Sequence, residues 1–344
     1  ESDDYIREYI RFNYKADLGH WAEIVNVSKT VAAQAGDPVP AVYGNQACLS
    51  CTNYSRPGAL ALSPASDLIW NEVTGATVGA RNCSASLHIR VADAASGYNN
   101  TKPKWFTGTP SADAAPAVLK RMLQTVIAEG LVFGAVHSTP LDAMTPDGDY
   151  QWDAVQELAT FASENRVLFT DRTRLADVAV AYCFACVSWR HFSTISSYDD
   201  PSFPNNTLGR HLTQMTSAAK LLDEQHLAWE VIILGHPDLY PDPMPMLPVR
   251  LRKTKLFILP NVDAISIEDQ VTIEAWVRQG GVLWLWDESG TRDEELQKRT
   301  QTFRNLAAWE NLIKTPGTGR VITTRRGTIQ AMQAGLPDPD LNGV

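Results

Sequence analysis

The stretch that opens at Lys255 constrains the fold more than any other. It reads KLFILPNV, then DAISIEDQVTIEAWVRQG, then GVLWLWDESG. An apolar run of strand length, Leu256–Leu259, precedes a helical segment. Gly280-Gly281 breaks the chain before a second apolar run, Val282–Trp286. Two uniformly apolar runs flanking an amphipathic helix imply parallel strands buried on both faces and joined by a right-handed crossover. Helical spacing lets Val271, Ile273, Trp276 and Val277 share the inward face and sends Glu268, Asp269 and Glu274 to water. Ser266 is the expected N-cap, with Asp269 three residues on in an acidic first turn. The class is therefore α/β.

At 344 residues the chain has room for two domains, each with a full core. A net charge of -9 excludes the basic face that duplex nucleic acid requires, so no nucleic-acid partner is expected. No apolar run approaches the roughly 20 residues of a membrane span. The nearest, Leu175–Trp189, contains Asp177. The chain opens ESDDYIREYI with no signal peptide, which fits a mature, processed or excised chain.

Five cysteines form two C-x-x-C pairs, Cys48/Cys51 and Cys183/Cys186, plus Cys83. The pairs stand too far apart for a zinc ribbon. Cys183 and Cys186 fall in an expected strand, where their odd/even offset puts them on opposite faces and argues against a disulfide between them. Buried thiols, other disulfides and metal ligation all stay open. Five N-x-S/T sequons, at Asn26, Asn53, Asn82, Asn99 and Asn205, point to a secreted, extracellular glycoprotein; accidental sequons in a cytosolic chain are the competing reading.

Along the chain, residues 1–35 read as helical, with a second helix from about His20 to Ala33. Strands are expected at Ala41–Asn45, Asp67–Val73, Lys104–Thr107 and Leu131–His137. Helices are expected within Thr74–Ser96, at Ala115–Glu129 and at Tyr150–Asn165. Loops after strand C-termini carry the chemistry in such folds, and the polar strand ends here are Asn45, Glu72, Thr107 and His137. A second alternating set follows: strand Ala176–Cys186, helix Gly209–Gln225, strand Trp229–Leu234, the unit described above, a helix at Gln297–Leu312, and a strand entered through Gly317-Thr318-Gly319-Arg320-Val321-Ile322. The boundary falls near 166–175.

This order resembles the C-terminal half of the (β/α)8 barrel of family 42 β-galactosidases and related clan A glycoside hydrolases, followed by their trimerisation domain, which has a glutamine-amidotransferase-like, flavodoxin-type fold. FASENRVLF (161–169), LADVAVAY (175–182), LLDEQHLAWEVI (221–232), KLFILPNV (255–262), VRQGGVLWL (277–285) and GTGRV (317–321) carry the resemblance. It implies a partial barrel over residues 1–170 and a flavodoxin-like domain over 171–344. AVYGN, DLIWNEV, KWFT and LVFGAVH would be barrel strands 5 to 8, with the first half upstream of residue 1. The chain is then expected to be a piece of a larger protein.

In such hydrolases an Asn-Glu pair at a strand end presents the acid/base, the Asn binding a sugar hydroxyl. The resemblance thus marks Glu72 as a catalytic or sugar-binding carboxylate and Asn71 as its neighbour; a structural carboxylate at the barrel mouth is the plainer alternative. Retaining chemistry needs a second carboxylate about 5–5.5 Å away, and KWFTGTP, where the nucleophile would stand, has none. Asn45 and His137 are candidate substrate contacts at strand ends. Tyr43, Trp70 and Trp105 are a candidate sugar-stacking platform or ordinary core aromatics. An amidotransferase would need a nucleophilic Cys on the turn Pro260-Asn261-Val262, and none is there. No phosphate loop, H-E-x-x-H or EF-hand pattern occurs, so no cofactor or metal is expected. The expected partners are carbohydrate and further copies of the chain or a larger assembly. The function implied is a glycoside hydrolase-like protein acting on or binding β-linked carbohydrate. The competing reading is a catalytically inactive extracellular structural or assembly glycoprotein.

Overall fold

The computed structural model describes residues 2–42, 62–67, 69–74, 83–95, 104–109, 124–125, 127–128, 132–136, 148–168, 175–190, 207–241, 244–300 and 320–324. The chain divides into two compact units. One comprises Phe12–Arg174; the other joins Glu1–Arg11 to Leu175–Val344. Helix α1 (Ser2–Ala35) thus contributes to both. It is one uninterrupted helix where the sequence suggested two, because nothing at Gly19 breaks it: the residue sits in open space in a run otherwise free of breakers.

In the Phe12–Arg174 unit, β1 (Ile69–Thr74), β2 (Lys104–Thr109) and β3 (Val132–Val136) form a parallel sheet in the order β1-β2-β3. Helices α2 (Cys83–Ala95) and α3 (Gly148–Glu164) belong to the same unit. Tyr14, Val25, Leu87, Ile89 and Val91 are among its buried residues. Asp67 anchors the entry to β1. Its carboxylate accepts from Val42 N at 2.9 Å and pairs with Lys29 Nζ at 2.5 Å, while its own N–H donates to Val42 O. Residues 41–42 are not in a strand, and the rest of the expected strand Ala41–Asn45 lies outside the described residues.

The other unit holds β4 (Val178–Cys183), α4 (Phe184–Arg190), α5 (Thr207–Glu224), β5 (Trp229–Leu234), α6 (Leu247–Leu251), β6 (Leu256–Leu259), α7 (Ile267–Arg278), β7 (Val282–Trp286) and β8 (Arg320–Thr324). Its five strands are all parallel, in the order β5-β4-β6-β7-β8. Every residue of β4 is buried, as two-sided cover of a parallel sheet demands. Trp229, Phe257 and Trp286 are at most 1% exposed, each contributing about 2–3 kcal/mol of apolar burial.

Two expectations for α7 are corrected. Val271 is 59% exposed and Asp269 is 2% exposed. Asp269 stands four residues before Ile273 and seven before Trp276, on the same helical face, whereas Val271 falls two residues from Ile273 and turns outward. Ser266 caps the helix as expected, its Oγ accepting from Asp269 N at 3.0 Å. Trp276 then packs edge-to-face on Phe257 and donates to Thr254 O at 3.3 Å. Residues 297–300 are not helical, and the rest of the helix expected at Gln297–Leu312 lies outside the described residues.

Candidate functional site

Two places merit description, one in each unit. In the three-stranded sheet the parallel register sets Trp70 opposite Trp105, Asn71 opposite Phe106 and Glu72 opposite Thr107. The pair Asn71-Glu72 therefore lies on β1, which ends one residue beyond the strand drawn from the sequence, at Thr74. The register brings Trp70 and Trp105 to neighbouring backbone positions and places no carboxylate opposite Glu72. Of the other candidates, Tyr43, Asn45 and His137 lie outside the described residues. So do Asn53, Asn82, Asn99 and Asn205, while Asn26 is exposed on α1.

In the five-stranded sheet the strand order reverses at β4, which pairs with β5 on one side and β6 on the other. The carboxyl ends of β4 and β6 flank the crevice where ligands lie in open parallel sheets. Here that rim is filled by the protein's own groups. Cys183 ends β4, and α4 starts at the next residue. One helical turn then swings Cys186 back beside Cys183, and the two form a disulfide with Cα atoms 5.2 Å apart. This corrects the sequence expectation, which extended the strand through Cys186 and so put the two side chains on opposite faces. Cys183 Sγ lies 3.1 Å from Ala264 O, and Cys186 Sγ lies 3.5 Å from Asp263 Oδ1. A disulfide has no S–H to donate, so these are packing contacts. Asp263, 2% exposed, has Arg292 Nε 3.7 Å from Oδ2.

His211, on α5, ties the two strand ends together. Its Nε2 accepts the N–H of Cys183 at 2.9 Å, and its Nδ1 lies 2.8 Å from Pro260 O. The acceptor at Nε2 assigns the proton to Nδ1, which donates to Pro260. Both ring nitrogens are thereby engaged by backbone. Asn261 follows with φ of 51°, a left-handed turn that Asn tolerates. Its Oδ1 accepts from Glu288 N at 3.2 Å. Ser289, fully buried, accepts from Val262 N at 3.0 Å, and its hydroxyl lies 2.7 Å from both Leu259 O and Trp286 O. Gln214 Nε2 donates to Asp287.

Two residues past the end of β5, the ring of His236 is wholly buried. Its Nδ1 accepts from Asp238 N and Leu239 N, and its Nε2 lies 3.5 Å from Glu295 Oε1. Glu295 also receives Arg11 from α1, and its carbonyl receives Arg7 at 3.2 Å.

Among the described residues the five-strand rim is thus a network in which side chains satisfy backbone at strand ends. The sharp turn at Asn261 carries an amide already engaged and offers no nucleophile. Sequence reading missed His211, His236, Asp263 and Ser289. A single His or Ser in an amphipathic segment has no spacing signal; only the return of β4 and β6 to one crevice reveals the group. Among the described residues no group of three or more His, Cys, Asp or Glu side chains is arranged to hold a metal, and no helix is long and apolar enough to cross a membrane.

Comparison with solved structures places this arrangement. The chain is similar to a GH42 exo-carrageenase from Bacteroides ovatus, with a TM-score of 0.60 and 13% identity over 99% of this chain and 44% of that one. It is similar to a β-galactosidase from Rahnella sp. R3, with a TM-score of 0.59 and 14% identity over 86% and 43%. A β-galactosidase from Marinomonas ef1 gives 0.53 and 12% over 82% and 45%. The chain spans less than half the length of each. No protein-family model matches it, and no curated protein matches it. At these identities the likeness is one of fold alone: the chain is a mixed α/β protein with parallel sheets, folded like these GH42 structures.

Proposed function

We propose that this chain is part of a glycoside hydrolase-like protein that acts on or binds β-linked carbohydrate. Glu72 is its catalytic or subsite carboxylate, and Asn71, Trp70 and Trp105 are further sugar contacts. The observation that carries this reading is the position of Asn71-Glu72 on β1 of a parallel β1-β2-β3 sheet, in a chain whose fold neighbours are GH42 enzymes. Tyr43, Asn45 and His137 join the same set as further substrate contacts.

In this reading the three strands belong to the second half of a (β/α)8 barrel, and the remaining strands come from upstream sequence or another chain. The neighbours' greater length supports it. The five-stranded sheet is a flavodoxin-like association domain; its order, β5-β4-β6-β7-β8, is the doubly wound 2-1-3-4-5 pattern. The hydrogen bonds that its described strand-end side chains make to backbone suit a scaffold. The protein is extracellular and N-glycosylated, a reading that the exposed Asn26 supports.

Thr107 opposite Glu72 favours a second reading, a catalytically inactive assembly glycoprotein. Release of nitrophenol from an aryl β-galactoside by the chain, alone and with upstream sequence restored, separates the two. Turnover that a Glu72→Gln substitution abolishes supports the hydrolase. Absence of turnover in both forms selects the inactive protein.

A further inference from the structure

The backbone carbonyl of Ala264 is buried, the residue being 1% exposed, yet no N–H or O–H donor among the described residues reaches it. Its polar neighbours are two sulfurs, Cys183 Sγ at 3.1 Å and Cys186 Sγ at 3.6 Å. A second oxygen, Asp263 Oδ1, lies 3.5 Å from Cys186 Sγ. Buried backbone carbonyls are nearly always hydrogen-bonded. While Cys183 and Cys186 are joined as a disulfide, neither sulfur has a proton to give, and Ala264 O is left unmatched. Reduction puts an S–H donor at each of the same two positions, one within reach of Ala264 O and the other within reach of Asp263 Oδ1. The surroundings therefore accommodate the dithiol at least as well as the disulfide.

The junction also keeps its shape in either state. Cys183 belongs to β4, where it pairs with Leu234, and its N–H is held by His211 Nε2 at 2.9 Å. Its Sγ accepts the N–H of Cys186 at 3.0 Å, which keeps the first turn of α4 beside the strand end. None of these contacts needs the S–S bond. Two thiols released here stay within one helical turn of each other and can close again. The C-x-x-C spacing at a strand-to-helix junction of a parallel sheet is one that supports reversible exchange.

We propose that Cys183 and Cys186 form a reversible dithiol–disulfide centre whose co-reactant is a small dithiol. Both cysteines are 1% exposed, so exchange starts from a local opening of α4. That helix has 7 residues, too few to persist without its packing. Its opening carries Cys186 outward while Cys183 stays in β4. The external dithiol, as its thiolate, attacks Cys186 Sγ. The bond between the two cysteines breaks, an S–S bond to the reductant forms, and Cys183 takes up a proton that it shares with Ala264 O. The second thiol of the reductant then displaces Cys186, which takes up the other proton. Two electrons and two protons pass to the protein, and the reductant leaves as a cyclic disulfide. The centre belongs to the other unit from Glu72 and is independent of the role of that residue.

The test is reduction of the folded 344-residue chain by dithiothreitol without denaturant, followed by acid quench, alkylation and peptide mapping of Cys183 and Cys186. The expected result is reduction at least about tenfold faster than global unfolding under the same conditions. The circular dichroism spectrum should not change, and the disulfide should re-form when oxidised dithiothreitol replaces the reductant. Infrared spectra read the acceptor directly. The S–H stretching band of the two thiols, isolated by subtracting a Cys183→Ala/Cys186→Ala variant, should lie at lower frequency in the folded reduced chain than in urea. If that variant does not fold, peptide mapping alone decides. Reduction no faster than global unfolding would make the pair an inert staple and overturn the proposal. A pair that reduces in the fold but does not close again overturns it too, as does a band at the frequency found in urea.

Discussion

The Oγ of Ser266 accepts the backbone N–H of Asp269 at 3.0 Å, and the carboxyl group of that same Asp269 is 2% exposed. One residue therefore both completes a helix cap and places an ionisable group inside the protein. Burial pushes the Asp269 carboxyl up to about 7; the Ser266 hydroxyl opposes this, and the charges of Glu268 and Glu294 add to it.

The pH dependence of stability follows. Between the ordinary aspartate value of 3.8 and about 7 the folded protein holds a proton that the unfolded chain releases. Stability contributed by this site is therefore full below about pH 4 and declines as pH rises to about 7, by on the order of 4 kcal/mol, then levels off. Asp269→Asn should flatten the urea midpoint between pH 5 and pH 8 and raise it above pH 7. An unchanged slope would show that Asp269 ionises freely in the fold.

Removing the cap also removes the hydroxyl that favours the ionised Asp269 carboxyl. Ser266→Ala is expected to lower stability by about 1 kcal/mol at pH 5, where Asp269 is protonated, and by more above pH 7, as read by urea denaturation. Ser266→Thr, which keeps a neutral acceptor, should recover most of it at both.

Two glycines predict opposite outcomes for one substitution. A Cβ on Gly281 would stand 2.2 Å from the ring of Trp276, which is itself largely buried. Gly281→Ala should destabilise by about 1–3 kcal/mol through overpacking. A Cβ on Gly19 meets nothing within 4 Å, and Gly19→Ala should stabilise the helix by about 1 kcal/mol. Thermal denaturation of the two variants tests both.

The disulfide between Cys183 and Cys186 closes a short loop, so its stabilisation is modest. Replacing both cysteines by alanine is expected to lower stability by about 2 kcal/mol. Peptide mapping without reductant should recover the two cysteines joined in one peptide, lighter by two hydrogens than the reduced form. Alkylation of both thiols in unreduced, denatured protein would contradict the pairing.

How far the sequence was readable can be judged from these same residues. Leu256–Leu259 and Val282–Trp286 were legible because two-sided burial leaves an unbroken apolar run. Trp229–Leu234 was legible for the same reason. Ser266 was legible because capping is local in sequence. Asp269 was misplaced because polarity was allowed to override helical phase. Cys186 was misplaced because the apolar run VAVAYCFAC continues unchanged from strand into buried helix, and hydrophobicity alone carries no mark of that junction. The rim network of His211, Asn261, Asp263 and Ser289 depends on loops that return to one crevice from distant parts of the chain. Only the position of the Pro260-Asn261-Val262 turn could be anticipated. On β1 the backbone position of Glu72 was legible; the strand's last residue, Thr74, was not, since this polar residue after the apolar Val73 was read with the segment that follows.

The most direct test of the central claim is equilibrium binding of a β-linked galacto-oligosaccharide to the full chain, by calorimetry, with Glu72→Ala alongside. The account predicts saturable binding that the substitution weakens at least about tenfold, while an α-linked isomer binds less well. No binding by the native chain, or equal binding by the Glu72→Ala variant, would contradict it.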